Sequence, residues 1–405
     1  MLRIGLVAGE ASGDYLGAGL IRALREAAGE EEVLHFEGVT GPQMRAAGCV
    51  SLESIDRLSL MGVTEVISHL PSLFRLRSEL IDHFERHTPD VFVGIDAPDF
   101  NLSLERKLRD RGMATVHYVS PTVWAWRAGR IRSIARAVTR VLALFPFEVD
   151  IYRQAGVDVS YVGHPLGDQI PLEINSGGLR RQLGLAVDAP LVAVLPGSRM
   201  SEIRHLGAPF ARTLAWLHRQ RPELRFVAPM ADERIRAQFE QALAQHAPEV
   251  PVTLVDGHSR ECMGAADAVL LACGTAALES MLLKRPMVVA YRIGWLTHAL
   301  LKRLRLVRVN YYSLPNLLAD ACPDDGGGSD ETVPTPLVPE FIQGEVQPEA
   351  MGASVLTMLD DSDRRGRLIK AFDRLHRLLR RDASRQAAHA VLQVARQAAA
   401  AKGGK

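Results

Sequence analysis

Residues 2–28 read LRIGLVAGEASGDYLGAGLIRALREAA, and the succession of textures along them decides the fold. Leu2–Ala8 is a short apolar run of the kind that forms a buried strand. Gly9-Glu10-Ala11-Ser12-Gly13-Asp14 is a loop of small and acidic residues, and Tyr15–Ala28 has the length and pattern of an amphipathic helix. The succession then repeats. Apolar runs at Leu34–Val39, Val91–Ile95, Thr115–Val119 and Val141–Phe145 are separated by helical stretches such as Leu102–Arg111. Such alternation implies a parallel sheet covered on both faces. It restarts with Leu191–Leu195, Arg225–Ala228, Val252–Val255, Ala268–Ala272 and Met287–Tyr291. Pro165–Pro190, with weaker periodicity and three prolines, reads as the connector. The expected architecture is α/β: two doubly wound Rossmann-like domains, residues 1–165 and 190–345, facing a cleft, with ligands at the carboxyl ends of the strands. Residues 346–405 are expected to form C-terminal helices that pack on the first domain or on a second protomer.

Composition bounds what such a protein does. The 405 residues carry 48 Lys+Arg against 47 Asp+Glu, a net charge of +1, which argues against a dedicated nucleic-acid binder. No run approaches the ~18–20 apolar residues of a membrane-spanning helix, and the N-terminal run lacks the layout of a secretory signal. Cys49, Cys262, Cys273 and Cys322 are too scattered for a zinc site or a disulfide framework, so reduced thiols in a cytoplasmic enzyme are expected.

Four loops follow predicted strands and carry candidate chemistry. Gly9–Asp14 lets a backbone approach a ligand at a helix N-terminus, but it is not GxGxxG; an ordinary turn with Asp14 as helix cap accounts for it equally. In Gly94-Ile95-Asp96-Ala97-Pro98-Asp99-Phe100-Asn101, Asp96 falls at the carboxyl end of an apolar strand, where a partly desolvated carboxylate can take a proton from an alcohol. Asp99 opens the next helix and is read first as its cap. In Leu195-Pro196-Gly197-Ser198-Arg199, Arg199 suits a phosphate and Ser198 adds hydrogen bonds; the loop is too short for a Walker motif. Gly274-Thr275-Ala276-Ala277-Leu278-Glu279 offers small residues at a helix start and a carboxylate one turn in, suited to a ribose diol. Paired with the Arg199 loop, it points to a nucleotide diphosphate. Asp361-Ser362-Asp363 has a DxD form but precedes a basic helix, where capping explains it better than a metal. His164 follows a strand and faces either the site or the core.

Three basic segments stand out against the neutral total. Arg127, Arg130, Arg132, Arg136 and Arg140 follow Trp124 and Trp126, with the last three spaced to share one helical face. Arg364–Arg381 is basic opposite an apolar stripe of Leu368, Phe372, Leu375, Leu378 and Leu379, and Lys302–Arg305 is the third. A solvated face over a core stripe explains any one of them; three together suggest an anionic lipid surface. Val66, Ile67, Leu70, Leu73 and Phe74, interrupted by Pro71 and flanked by Arg75 and Arg77, either admit acyl chains or pack as core.

The motifs LVAGEASGD (6–14), MGVTEV (61–66), PDVFVGIDAPDFN (89–101), HYVSPTVWAWR (117–127), LPGSR (195–199), GTAALE (274–279), PMVVAYR (286–292) and YYSLPNLLA (311–319) together resemble the lipid-A-disaccharide synthase family of inverting glycosyltransferases. The resemblance runs through nearly the whole chain in order; Ala321–Gln347, rich in Gly, Pro and acids, departs from it. It implies a GT-B fold, a UDP-linked diacylglucosamine donor, a diacylglucosamine 1-phosphate acceptor (lipid X), and no cofactor or metal. By the same resemblance Asp96 is the general base, with Asp99 and Glu10 supporting or competing. Ser198, Arg199, Gly274, Thr275, Glu279 and Asn316 form the nucleotide side, while Ser12, Leu70, Phe74, Trp124, Trp126 and Arg127 serve the acceptor and membrane side. A homodimer peripheral on the cytoplasmic face of the inner membrane is also implied. The competing readings are a UDP-N-acetylglucosamine 2-epimerase-like enzyme and a non-catalytic nucleotide-sugar-binding membrane protein.

Overall fold

The apolar run that opens the chain becomes the centre of a seven-stranded sheet. Its strands are β1 (Leu2–Ala8), β2 (Leu34–Thr40), β3 (Val50–Ser54), β4 (Val91–Ile95), β5 (Thr115–Tyr118), β6 (Arg140–Ala143) and β7 (Val159–Tyr161), in the order β3-β2-β1-β4-β5-β6-β7. A six-stranded sheet follows: β8 (Leu191–Leu195), β9 (Arg225–Met230), β10 (Val252–Asp256), β11 (Ala268–Ala272), β12 (Met287–Tyr291) and β13 (Glu340–Ile342), in the order β10-β9-β8-β11-β12-β13. Every pairing is parallel. The computed structural model describes residues 1–29, 32–59, 66–121, 130–294, 310–323 and 336–403. Two units result, Met1–Asp168 with Leu379–Lys405, and Gln169–Leu378.

In each sheet the chain builds outward from its first strand, then jumps back to that strand's other side. The jump splits the connections between β1 and β4, and again between β8 and β11. Helices at a switch of this kind leave in opposite directions and open a crevice above the strand ends. The loops after β1 and β4, and those after β8 and β11, are therefore the places where each unit can build a site.

Burial explains which strands were legible. β4, β8 and β11 are buried throughout and read as unbroken apolar runs. β3, β7 and β13 are short and only half-buried, so they lack such a run and were not expected. β5 stops at Tyr118 because Val119 takes φ 79°, a left-handed conformation that no strand continues through. Arg140 is not the last member of a helical arginine face. Helix Ile131–Ala137 ends at an extended Val138, and Arg140 opens β6, buried and paired with Asp158 at 2.7 Å.

The C-terminal helices divide between the units. Helices Pro348–Asp360 and Ser362–Leu379 pack largely in the second, with Leu368, Phe372, Leu375 and Leu379 buried as the apolar stripe. Asp361 caps the latter helix by accepting from the Arg364 N–H at 2.8 Å. Helix Ala383–Gly403 returns to the first unit, where Ala387, Ala388, Val391, Leu392 and Ala395 join the core around β1 and β4. Among the described residues no helix is long and apolar enough to cross a membrane.

Candidate active site

The second unit holds a cavity of about 280 Å³ at the β8/β11 switch. It is lined by the loop after β8 (Gly197, Ser198, Arg199), the ends of β9 and β10, and the start of helix Thr275–Leu282 (Gly274, Thr275, Ala276, Glu279). Two sequence features make this mouth. Small residues at 274–277 keep the helix entrance open: a Cβ placed on Gly274 would meet nothing within 4 Å. The first amides of that helix have no intrahelical acceptors, and its positive end points to where an anion is favoured.

Glu202, which sequence reasoning passed over, orders the Arg199 loop. Its carboxylate accepts the Ser198 N–H at 2.9 Å and the Arg199 N–H at 3.3 Å, and it meets the Arg199 guanidinium at 3.2 Å. The Ser198 and Arg199 amides are therefore held by the first turn of the following helix, Met200–Gln220. Arg199 itself remains 78% exposed. The signal was present: an acid three residues into a helix is the second half of a capping box. Glu279 is largely buried and pairs with Arg260 at 2.7 Å, so it faces the cavity in a held position. Cys273, also on the lining, donates to the Tyr312 carbonyl at 3.3 Å, and burial pushes its thiol up to about 12.

In the first unit the turn after β4 is strained. Asp96 and Ala97 both sit at positive φ, 54° and 43°, where side chains crowd the backbone. Three contacts hold the turn. The Asp96 N–H donates to the Tyr118 carbonyl at 2.8 Å; the buried Asn101 amide donates to the Asp96 carbonyl at 2.8 Å; and a Cβ on Gly9 would lie 2.2 Å from that of Ala97. The Gly9 loop and the Asp96 turn are thus in close contact, and only glycine fits at position 9. Beneath them Glu105 and His117, both fully buried, meet at 2.7 Å. Burial pushes the Glu105 carboxyl up, and the His117 contact and the Gly94 N–H work against that rise.

The remaining acids here have separate roles. Asp99 lies in the first turn of helix Pro98–Arg109, but Ala97 is the cap residue; Asp99 is 84% exposed and pairs with Arg130. Glu10 and Ser12 are exposed at the start of helix Ala11–Ala28. Asp14 caps a different helix than expected, accepting the Gly41, Gln43 and Met44 N–H groups at 2.9 Å each. His164 packs against Phe145 and accepts from the Leu166 N–H at 3.2 Å; burial pushes it down to about 4.

A family model described as lipid-A-disaccharide synthetase matches residues 4–394. The chain belongs to the lipid-A-disaccharide synthase family. A lipid-A-disaccharide synthase of Alkalilimnicola ehrlichii is 50% identical over 396 residues, 97% of this chain and 99% of that one. One of Hahella chejuensis is 47% identical over 393 residues, 97% of this chain and 94% of its own. Among solved structures, a UDP-GlcNAc 2-epimerase of Neisseria meningitidis bound to UDP-GlcNAc is similar at TM-score 0.60, with 11% identity and coverage of 91% and 94%. The glycotransferase of kitacinnamycin is similar at TM-score 0.61, with 16% identity and coverage of 97% and 99%. At those identities the likeness is one of fold, the two-domain GT-B type.

Within this synthase fold, Ser198, Arg199, Gly274, Thr275 and Glu279 share one cavity, and Asn316 does not line it. Asn316 is fully buried: its amide donates to the Val338 carbonyl at 2.9 Å and to Glu340 at 2.8 Å, and its oxygen accepts the Val338 N–H. It ties helix Leu314–Ala321 to β13, which is a structural task. Phe74 is 60% exposed, while the neighbouring Leu73 is core. Trp124, Trp126 and Arg127 lie outside the described residues, as does the side chain of Leu70.

Proposed function

We propose that the protein transfers a 2,3-diacylglucosamine unit from its UDP conjugate to the 6-hydroxyl of 2,3-diacylglucosamine 1-phosphate, with inversion, releasing UDP and lipid A disaccharide 1-phosphate. The family match over residues 4–394 carries the reading. The second unit binds the UDP-sugar and the first binds the acceptor and activates it. Asp96 takes the proton from the acceptor hydroxyl as its oxygen attacks the anomeric carbon, and the bond to UDP breaks on the opposite face. The turn that carries Asp96 is held on three sides, which preorganises the carboxylate. Arg199 and the positive end of helix Thr275–Leu282 offset the charge gathering on the leaving diphosphate, and Glu279 meets the ribose. Glu10 and Asp99 border the same turn and assist it. The protein works as a homodimer on the cytoplasmic face of the inner membrane, with the exposed Phe74 and the basic helix Ser362–Leu379 supporting attachment to anionic lipid.

Incubation with both acylated substrates is expected to release UDP in step with disaccharide, unchanged by a chelator. Asp96→Ala is expected to lower turnover by about 10²–10⁴-fold with UDP affinity nearly unchanged. Turnover of UDP-N-acetylglucosamine without an acceptor would instead establish an epimerase.

A further inference from the structure

Arg77, on helix Val66–Arg86, is a half-buried cation with no counter-ion among the described residues. Its guanidinium lies 4.9 Å from the ring centroid of Phe100 and 5.5 Å from that of Phe74. Its Nε is sealed from solvent without an acceptor, and among the described residues no carboxylate pairs with it. Elsewhere in the first unit Arg130 pairs with Asp99, Arg57 with Glu53 and Glu79, and Arg111 with Glu85. Withdrawing a cation from water is unfavourable unless an anion answers it, and the two ring faces offset only part of that loss. Burial accordingly pushes the Arg77 guanidinium below its usual range.

The position of Arg77 says what kind of anion suits it. Phe100 stands in the first turn of helix Pro98–Arg109, four residues on from Asp96, and that helix begins without a side-chain cap. The guanidinium thus rests on a ring supplied by the first turn of the helix that follows the proposed base. A planar fork in a partly dry setting matches a phosphate in a paired, two-bond geometry. The exposed ring of Phe74 beside it suits a phosphate that carries hydrocarbon nearby.

We propose that Arg77 binds the phosphate monoester of the acceptor glycolipid, anchoring that substrate while its hydroxyl meets Asp96. This rests on the glycosyl-transfer reading above. A phospholipid headgroup offers similar chemistry, so the test separates the two. Wild-type protein and Arg77→Met, which keeps the rings covered, are compared on the acceptor with and without its 1-phosphate, each dispersed in neutral detergent. Wild-type kcat/KM is expected to favour the phosphorylated acceptor by about 10- to 100-fold. In Arg77→Met that preference collapses toward unity while the donor KM holds. Equilibrium binding of each acceptor without donor reads the same difference if turnover is too low to follow. Arg77→Gln replaces the Met variant should that one fail to fold. A preference that survives in a folded variant overturns the proposal, as does a variant whose only loss is in sedimentation with anionic vesicles. Absence of any disaccharide from the wild-type protein would instead overturn the glycosyl-transfer reading.

Discussion

Two glycines show how differently a missing side chain can matter. Gly94 is required by its own protein: a Cβ there would lie 2.1 Å from the Glu105 carboxylate. Gly94→Ala is therefore expected to destabilise the first unit by about 1–3 kcal/mol, read as a lower denaturant midpoint. Gly274 meets nothing, so its space belongs to whatever enters the cavity. Gly274→Val is expected to leave thermal stability nearly unchanged and to raise the donor KM, a split that a purely structural glycine would not give. Arg199→Ala should also raise the donor KM, by about 10- to 100-fold, because the exposed guanidinium is the one cationic group of that loop. These roles were unevenly legible. Arg199 and Gly274 could be picked out because each follows an apolar strand. Asn101, Glu105 and His117 could not, since a polar residue in a helix or strand gives no sign of burial until its neighbours are known. Asn316 shows the converse: an Asn in a family motif reads as a ligand group, and its three hydrogen bonds to the β13 segment were not legible from it.

At the scale of elements, the turn after β4 and helix Pro98–Arg109 act together. Asn101 and Glu105 are four residues apart on one helix face, and both are fully buried against the strand ends. One holds the carbonyl of Asp96; the other holds Gly94 and His117, which are register partners on β4 and β5. The helix thus fastens the turn from which it starts. Ala97→Gly would relieve a left-handed alanine and is expected to stabilise the protein by up to ~1 kcal/mol, with kcat falling as the turn gains freedom. Calorimetry and steady-state rates on one preparation check both. The strand that leads into this turn, β4, was readable because burial on both faces leaves an unbroken apolar signature. β3, β7 and β13 were not; β13 lies within Ala321–Gln347, whose Gly, Pro and acids hide three half-buried residues.

At the scale of the whole molecule, the chain leaves the first unit at Asp168 and re-enters it at Leu379. Exit and return are fastened together: the His164 N–H donates to the Leu379 carbonyl at 2.9 Å, and Asp168 accepts the Asp382 and Ala383 N–H groups at 2.8 and 2.7 Å. His164 makes this junction sensitive to acid. Unfolded, it takes up a proton near its ordinary 6.5; folded, burial delays this to about 4. Between those values the unfolded chain binds more protons, so stability falls as pH drops from 6.5 toward 4. Denaturant midpoints of the first unit at pH 7 and 5 should differ, and His164→Gln should narrow the gap. Removal of residues 383–403 is expected to expose the apolar surface around β1 and β4, seen as dye binding and aggregation. The same return has a consequence during synthesis. The first unit emerges from the ribosome before the second, yet its last helix is made only after roughly 210 further residues. At the usual elongation rates of about 5–20 residues per second, its core waits some 10–40 s for completion. Through that interval a nascent sheet stands without its final cover, and the folding of this protein in a cell becomes a matter of who shelters it.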